Sequence, residues 1–427
     1  MSKIAIIGSG PVGLHLGFGF LAKGYKDVTI YSDRTGLEYA QGKLTQTAAY
    51  FTKVQEKEKE LGIDFWPEAP HGAGFYIEVR DPSGQVLSTI NGNFKGGIYT
   101  EGVDYRIKIP KWMDEFQSRG GKFEINPVDI GRLEQIAEEN DLVFVAVGKG
   151  SLASIFEKDP ERSNFRGSLR RAAIAFLEGP RMLGSNSWPG VPYHGRLTTV
   201  IDVGDFFSLP MLGYSGVPGA PGIPGRGYAW EAVPGSRFDV FEGVTSGEDL
   251  LARGLELIEK YAPEDMPYME GVKLSDPKGW LYGSITPIVR KPIASLPSGK
   301  KVMAIGDVLM LTDPLAGQGG NNNIKFAHHV IDKIVKDHIT KTDPFWYTNV
   351  FEDYFESDGK YPLLFTDLLM GEPPAALMTV MAAASQSQGI ADELATNFGE
   401  AKRCWPWIVD QDEANKFVEK YMAAAAV

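Results

Sequence analysis

Close to its start, the chain places Gly8-Ser9-Gly10-Pro11-Val12-Gly13 directly after the apolar run Ile4-Ala5-Ile6-Ile7 and before a helical pattern from Val12 to Lys23. No other feature constrains the fold as much. Three glycines in this spacing mean little alone. Between a short buried strand and a helix, with Val28-Thr29-Ile30-Tyr31 following as a second strand, they predict the first turn of a dinucleotide-binding βαβ unit. Gly8 permits the tight turn, and Gly10 lets backbone approach a pyrophosphate. Gly13 allows close packing of helix on strand. Pro11 and Val12 open the helix whose N-terminus faces the phosphate.

Ser32 occupies the place after the second strand where an acidic residue usually meets an adenosine ribose, and Asp33-Arg34 come next. Asp33 is the candidate for the ribose hydroxyls. Arg34 is the candidate for the adenine or a phosphate. About 300 residues later the pattern recurs: the strand signature Lys301 to Ile305 leads into Gly306-Asp307, then Asp313-Pro314, then Gly317-Gln318-Gly319-Gly320-Asn321. An aspartate at a strand end suits a ribityl hydroxyl. Glycines at a new helix N-terminus suit the pyrimidine edge of a flavin, which is negative when reduced. Gly306, Asp307, Pro314, Gly317, Gly319, Gly320 and Asn321 are therefore the second half of a cradle for an elongated cofactor.

Between these ends the reading is mixed. Helices are predicted over Thr52–Leu61, Lys111–Arg119 and Gly247–Tyr261, with a hairpin turn at Asp81-Pro82-Ser83-Gly84 and a strand over Leu142–Val147. From Arg171 to Pro297 the chain is β-rich, and it is largely helical after Asn321. Gly216 to Gly225 carries glycine at every third position, read as an extended polyproline-like loop. At 427 residues two or three domains are expected. The division is a discontinuous cofactor domain (1–50, 101–170, 298–340), a β-rich substrate domain (51–100, 171–297) and a C-terminal helical region (341–427).

The net charge of -12, with no basic stretch, argues against nucleic acid. No apolar run reaches the ~18 residues of a membrane span, and no signal-peptide pattern precedes Ile4, so a soluble protein is expected. A single cysteine, Cys404, fits a reducing cytoplasm, and the six histidines show no metal-ligand spacing. His15, on the first helix, reads as a packed residue. No nucleophile motif is present, so no catalytic side chain is assigned.

The two Gly-rich turns resemble those of FAD-dependent monooxygenases with the glutathione-reductase-like α/β fold. Within these the chain resembles the styrene and indole monooxygenase family, the oxygenase half of two-component systems. The likeness is carried by Gly8–Gly13, by Val28 to Arg34, by Val103-Asp104-Tyr105-Arg106, and by Arg119-Gly120-Gly121-Lys122-Phe123. Gly148-Lys149, Phe156-Glu157-Lys158, Pro287 with Arg290, Asp313-Pro314-Leu315 and Ser385-Gln386-Ser387 with Ala391-Asp392-Glu393 extend it over nearly the whole chain. The resemblance implies reduced FAD from a separate flavin reductase and O2 as co-substrate. A flavin C4a-(hydro)peroxide would then transfer one oxygen atom to a small aromatic or vinyl-aromatic compound, by epoxidation or sulfoxidation. It also implies a homodimer as the expected assembly.

Single-component hydroxylases of this fold carry an Asp-Gly pair after the strand Leu142–Val147, tied to FAD and NADPH. Here that place reads Val147-Gly148-Lys149-Gly150. The alternatives are such a single-component NAD(P)H-dependent enzyme, which the missing pair disfavours, or a non-catalytic binding protein on the same fold. The segment Lys43 to Tyr50 aligns with the family's substrate- and flavin-facing stretch, yet Gln46, Ala48 and Tyr50 match neither the styrene nor the indole pattern. Gln46, Ala48, Tyr50, Phe75 and Tyr76 are the candidate pocket residues, and Lys43 is a candidate neighbour of the flavin.

Overall fold

Ile4–Ile7 is completely apolar and almost wholly buried, as a strand with neighbours on both edges and helices on both faces must be. It pairs in parallel with Val28–Ser32 on one side and Leu142–Val145 on the other. Lys122–Ile125 extends the sheet beyond Val28–Ser32, and Lys301–Ala304 lies beyond Leu142–Val145. Ile293–Ser295 adds an antiparallel edge to Lys301–Ala304. The computed structural model describes residues 2–46, 49–148, 150–165, 169–179, 181, 183 and 193–425. Among them this sheet has six strands, and its return to Lys301–Ala304 after a long excursion brings the two Gly-rich segments side by side.

The excursion builds a second, mostly antiparallel sheet. Its strands run in the order Lys273–Leu274, Arg171–Glu178, Ile223–Ala232, Gly204–Gly213, His194–Val200, Gly74–Arg80 and Val86–Asn93, with Trp280–Ser284 also paired to Arg171–Glu178. The helix Gly247–Tyr261 covers one face through Leu250, Leu257 and Ile258, against Phe206, Tyr228 and Trp230. Ser246 caps this helix by accepting from the Asp249 N–H, and Pro263 prevents its continuation. Helices between Pro344 and Ala425 pack partly on the other face, where Phe75, Ile77 and Leu197 meet Leu394 and Phe398.

The boundaries differ from those expected. Val54, Ile63 and Trp66 bury themselves in the core of the first sheet, and Ile293–Ser295 belongs to that sheet, so residues 52–66 and 288–297 pack with it. The segment 216–225 is not polyproline-like. Gly213 pairs with Ile223 in a hairpin, and Gly216 and Gly219 take φ of 82° and 76°, a region that the polyproline conformation excludes. The helix over Lys111–Arg119 begins earlier, at Tyr105, where Asp104 caps it by accepting the Arg106 N–H.

Candidate active site

Gly8 adopts φ 116°, and a Cβ there would lie 2.6 Å from the Ala146 carbonyl oxygen. At Gly13 an added Cβ would lie 2.0 Å from the Gly8 carbonyl oxygen. Both positions are closed to side chains by the turn itself. Gly10 differs: its φ is -67°, and a Cβ would meet nothing within 4 Å. The helix Pro11–Ala22 starts there without a side-chain cap, so its first N–H groups remain open to an anion. Open space beside a bare helix N-terminus fits the pyrophosphate of FAD. Gly306, at φ 81°, approaches the same turn, since a Cβ there would lie 3.4 Å from Val12 Cβ.

At the end of the second strand the Ser32 hydroxyl is used internally. It lies 2.6 Å from the Ser9 hydroxyl and donates to the Arg34 carbonyl at 2.6 Å, while Ser9 also meets the Tyr39 hydroxyl at 3.0 Å. Asp33 stays exposed and pairs with Arg34 at 3.3 Å, and the Arg34 guanidinium lies 4.4 Å from the Tyr39 ring centre. Charged groups therefore stand at the ribose end of the cradle even though Ser32 is not acidic.

In the second turn Asp307 accepts from Asn323 Nδ2 at 2.8 Å. Asp313 accepts the Leu315 N–H at 3.0 Å, which shapes the short turn Pro314–Ala316. Gly317 (φ 61°) then starts the helix Gln318–Lys336, again without a side-chain cap, and Gly320 lies in its first turn. Gly319 is required by packing, since a Cβ would sit 2.6 Å from Thr312 Oγ1. Asn321 is buried, and its carboxamide is occupied: it accepts from Phe51 N at 2.9 Å and donates to Ala49 O at 2.9 Å and Gly317 O at 2.8 Å. Its place is to hold the strand Ala49–Phe51 against the helix start.

The expected pocket residues are not brought together. Ala48 lies outside the described residues, and Gln46 is half-buried. Tyr50 is 1% exposed and turns inward, its hydroxyl 2.7 Å from that of Tyr105. Phe75 and Tyr76 are successive residues of one strand and project to opposite faces. Phe75 packs on Phe94 and Phe398, whereas Tyr76 lies 4.9 Å from the Arg196 guanidinium. The Lys43 ammonium sits over the Trp280 ring at 3.8 Å.

Beneath Tyr50 runs a buried polar chain. His15 Nδ1 is 3.2 Å from His328 Nε2, His15 Nε2 is 3.6 Å from Glu58, and Lys108 donates to both Glu58 oxygens at 2.7 and 2.8 Å. Burial lowers the basicity of both histidines, His328 down to about 3. Glu58, Asp64 and Glu101 converge closely enough to suit a cation, and the Lys108 ammonium lies 2.7 Å from Glu58 and 3.9 Å from Glu101.

The sheet face that carries Phe75 continues beside the second turn: a Cβ added at Gly195 would lie 2.5 Å from Leu209 Cδ2 and 2.7 Å from Phe75 Cδ1. On Gly204–Gly213, Phe206 points toward the helix Gly247–Tyr261, so Phe207, Leu209 and Met211 point away from it. Phe207 lies opposite Ala229, and Ile174 lies opposite both Ala229 and Leu281. Phe207 and Leu209 pack against the group containing Leu315 and Ala316, while Phe176 and Met211 pack on Leu44. This apolar sheet face is thus bracketed by the second turn and by the segment from Lys43 to Gln46. Of this face sequence reasoning named Phe75 and missed the rest. The alternation along Gly204–Gly213 is visible in the sequence, but not which of its two faces meets the turns.

Residues 148–267, which hold the central strands of this sheet, match the family model described as "Styrene monooxygenase A putative substrate binding domain". The chain is 27% identical to styrene monooxygenase StyA of Pseudomonas fluorescens over 440 residues, covering 99% of each chain. It is 27% identical to StyA of a Pseudomonas species over 417 residues, covering 94% of each. Among solved structures it is similar to a flavoprotein/dehydrogenase from Cytophaga hutchinsonii (TM-score 0.63, 13% identity, 99% and 100% covered) and to the flavin-dependent brominase Bmp2 (TM-score 0.60, 12% identity, 99% of each covered). A p-nitrophenol 4-monooxygenase from Pseudomonas putida shares the fold at TM-score 0.57 and 13% identity, with 94% and 98% covered. Two Gly-rich turns that fit FAD, an apolar sheet face beside the second of them and a similarity that runs the length of the chain point the same way: the chain is similar to the styrene monooxygenases from end to end and is an FAD-dependent monooxygenase with O2 as co-substrate.

Proposed function

We propose that this chain is the oxygenase component of a two-component system. It takes reduced FAD from a separate flavin reductase and inserts one atom of O2 into a small aromatic or vinyl-aromatic substrate, as epoxide or sulfoxide. The observation that carries this reading is the apolar face of Ile174, Phe207, Leu209, Met211, Ala229 and Leu281 set between the second turn and Leu44. Bound reduced FAD supplies the activation of O2. The chain's own groups hold the cofactor through Gly8, Gly10, Pro11, Val12, Gly13, Asp33 and Arg34 at one end and Gly306, Asp307, Pro314, Gly317, Gly319 and Gly320 at the other. The sheet face orients an apolar ring and keeps water from the reacting atoms. Dependence on a reductase is supported by Val147-Gly148-Lys149-Gly150, which lacks the Asp-Gly pair of self-reducing relatives.

The test supplies purified protein with FAD, NADH, O2 and styrene, indole or a thioether, with and without an unrelated flavin reductase. Epoxide or sulfoxide formed only with the reductase is the expected result. Rapid NADH oxidation by the chain alone would instead establish a single-component enzyme. Absence of product with every substrate would reject the oxygenase reading.

A further inference from the structure

The inner end of the apolar sheet face is acidic. Glu231, wholly buried near the end of the strand Ile223–Ala232, lies opposite Asp205 in register, and its carboxyl neighbours that of the buried Asp313. Arg170 Nε donates to Asp205 at 3.3 Å, and the Thr199 hydroxyl donates to the other Asp205 oxygen at 2.8 Å. Asp313 accepts the Leu315 N–H. Three buried carboxyl groups therefore gather around one guanidinium. Among the described residues no N–H or hydroxyl donates to either oxygen of Glu231.

Two ionised carboxylates side by side repel strongly where water is excluded, and a hydrogen bond between them requires a proton. Asp205 and Asp313 already accept from other donors, so the proton belongs on Glu231. Burial, then the neighbouring Asp313 and Asp205, pushes the Glu231 carboxyl well above the usual carboxylate range, and burial also raises Asp313. Asp313 lines a cavity of about 180 Å³ with Thr312, Thr366 and Met370, which gives the pair a route for proton exchange with solvent.

We propose that Glu231 stays protonated at neutral pH and, by donating to Asp313, is a positioning residue that locks the turn Asp313–Gly317 onto the substrate sheet. The inference rests on the reading that this turn receives the flavin. The carboxyl contact joins the strand beneath the substrate to the turn beneath the cofactor, so loss of the proton loosens both together. Among the described residues the charged groups facing Glu231 are Asp205 and Arg170 from the sheet side and Asp313 from the turn.

The test measures FAD affinity by flavin fluorescence, and melting temperature without FAD, from pH 6 to 9.5 in the full chain, in Glu231→Gln and in Asp313→Asn. In the unaltered protein, affinity should fall with rising pH by up to about tenfold per unit once the carboxyl ionises. Glu231→Gln keeps a donor that does not ionise, and Asp313→Asn keeps the acceptor for Leu315 without its charge, so either variant should flatten the profile. Equal slopes in the unaltered protein and in a folded variant would overturn the proposal, as would a flat profile in the unaltered protein. If no FAD binds at any pH, the functional reading fails separately. Melting then decides the carboxyl pair: a decline with pH absent from the variants supports the shared proton, and parallel declines reject it.

Discussion

Asn321 Oδ1 accepts the Phe51 backbone N–H at 2.9 Å, joining positions 270 residues apart, and the same carboxamide donates to Ala49 O. One side chain thus fixes a strand from the first third of the chain to the start of the helix Gln318–Lys336. Asn321→Ala removes these bonds and leaves the buried Phe51 N–H without its acceptor. A loss of about 2–4 kcal/mol in urea unfolding is expected, with FAD binding weakened on the order of tenfold. Unchanged stability would show that the strand is held by packing instead.

Gly10 and Gly13 should separate binding from folding. Gly10→Ala adds a methyl into open space at a φ that alanine adopts freely, so its melting temperature should stay near that of the unaltered protein while FAD affinity collapses. Gly13→Ala drives a methyl into the Gly8 carbonyl and should impair folding itself. Calorimetry paired with FAD titration checks both, and normal FAD affinity in Gly10→Ala would exclude a pyrophosphate at that turn.

The buried histidines should make the protein acid-sensitive. His15 and His328 remain neutral in the fold because burial disfavours their charge, with His328 down to about 3, while in the unfolded chain both ionise near 6.5. Between these values the unfolded state binds more protons, so this contribution to stability is lost as pH falls below 6.5 toward 3. His328→Asn should flatten that decline by up to about 1.4 kcal/mol per pH unit. Urea unfolding at a series of pH values between 5 and 7.5 reads it directly, and an undiminished slope would assign the acid sensitivity to other groups.

Phe207 is half-buried on the apolar sheet face, so its truncation widens the face at modest cost to the core. Phe207→Ala should lower kcat/KM for a styrene-sized substrate by about ten- to a hundredfold and affect a larger bicyclic substrate less. FAD affinity should be retained. Equal loss for both sizes would move the substrate away from this surface.

Much of the fold was legible because local signals were strong. The helices Thr52–Leu61 and Gly247–Tyr261 end where Gly62 and Ala262-Pro263 end them. Gly8 and Gly306 stand at backbone conformations that favour glycine, so a pattern of glycines after strands could be read as two turns. The pocket was less legible. Tyr50, Phe75 and Tyr76 are aromatic, yet a hydroxyl contact with Tyr105, a packing partner at Phe398 and strand alternation send them in three directions. Their composition suits a pocket equally well, because the chemistry of one side chain does not record its neighbours.

The sequence by itself determined the βαβ unit, the second Gly-rich turn and the family resemblance, since each rests on a few adjacent residues whose backbone demands are local. Only the tertiary structure decided that Asn321 serves Ala49–Phe51, that Phe75 shares its sheet face with Phe207 and Leu209 while Tyr76 turns to Arg196, and that Glu231 meets Asp313. Those relationships join residues tens to hundreds of positions apart. They depend on the register of the sheet and on which of its faces is covered, and no local pattern encodes either.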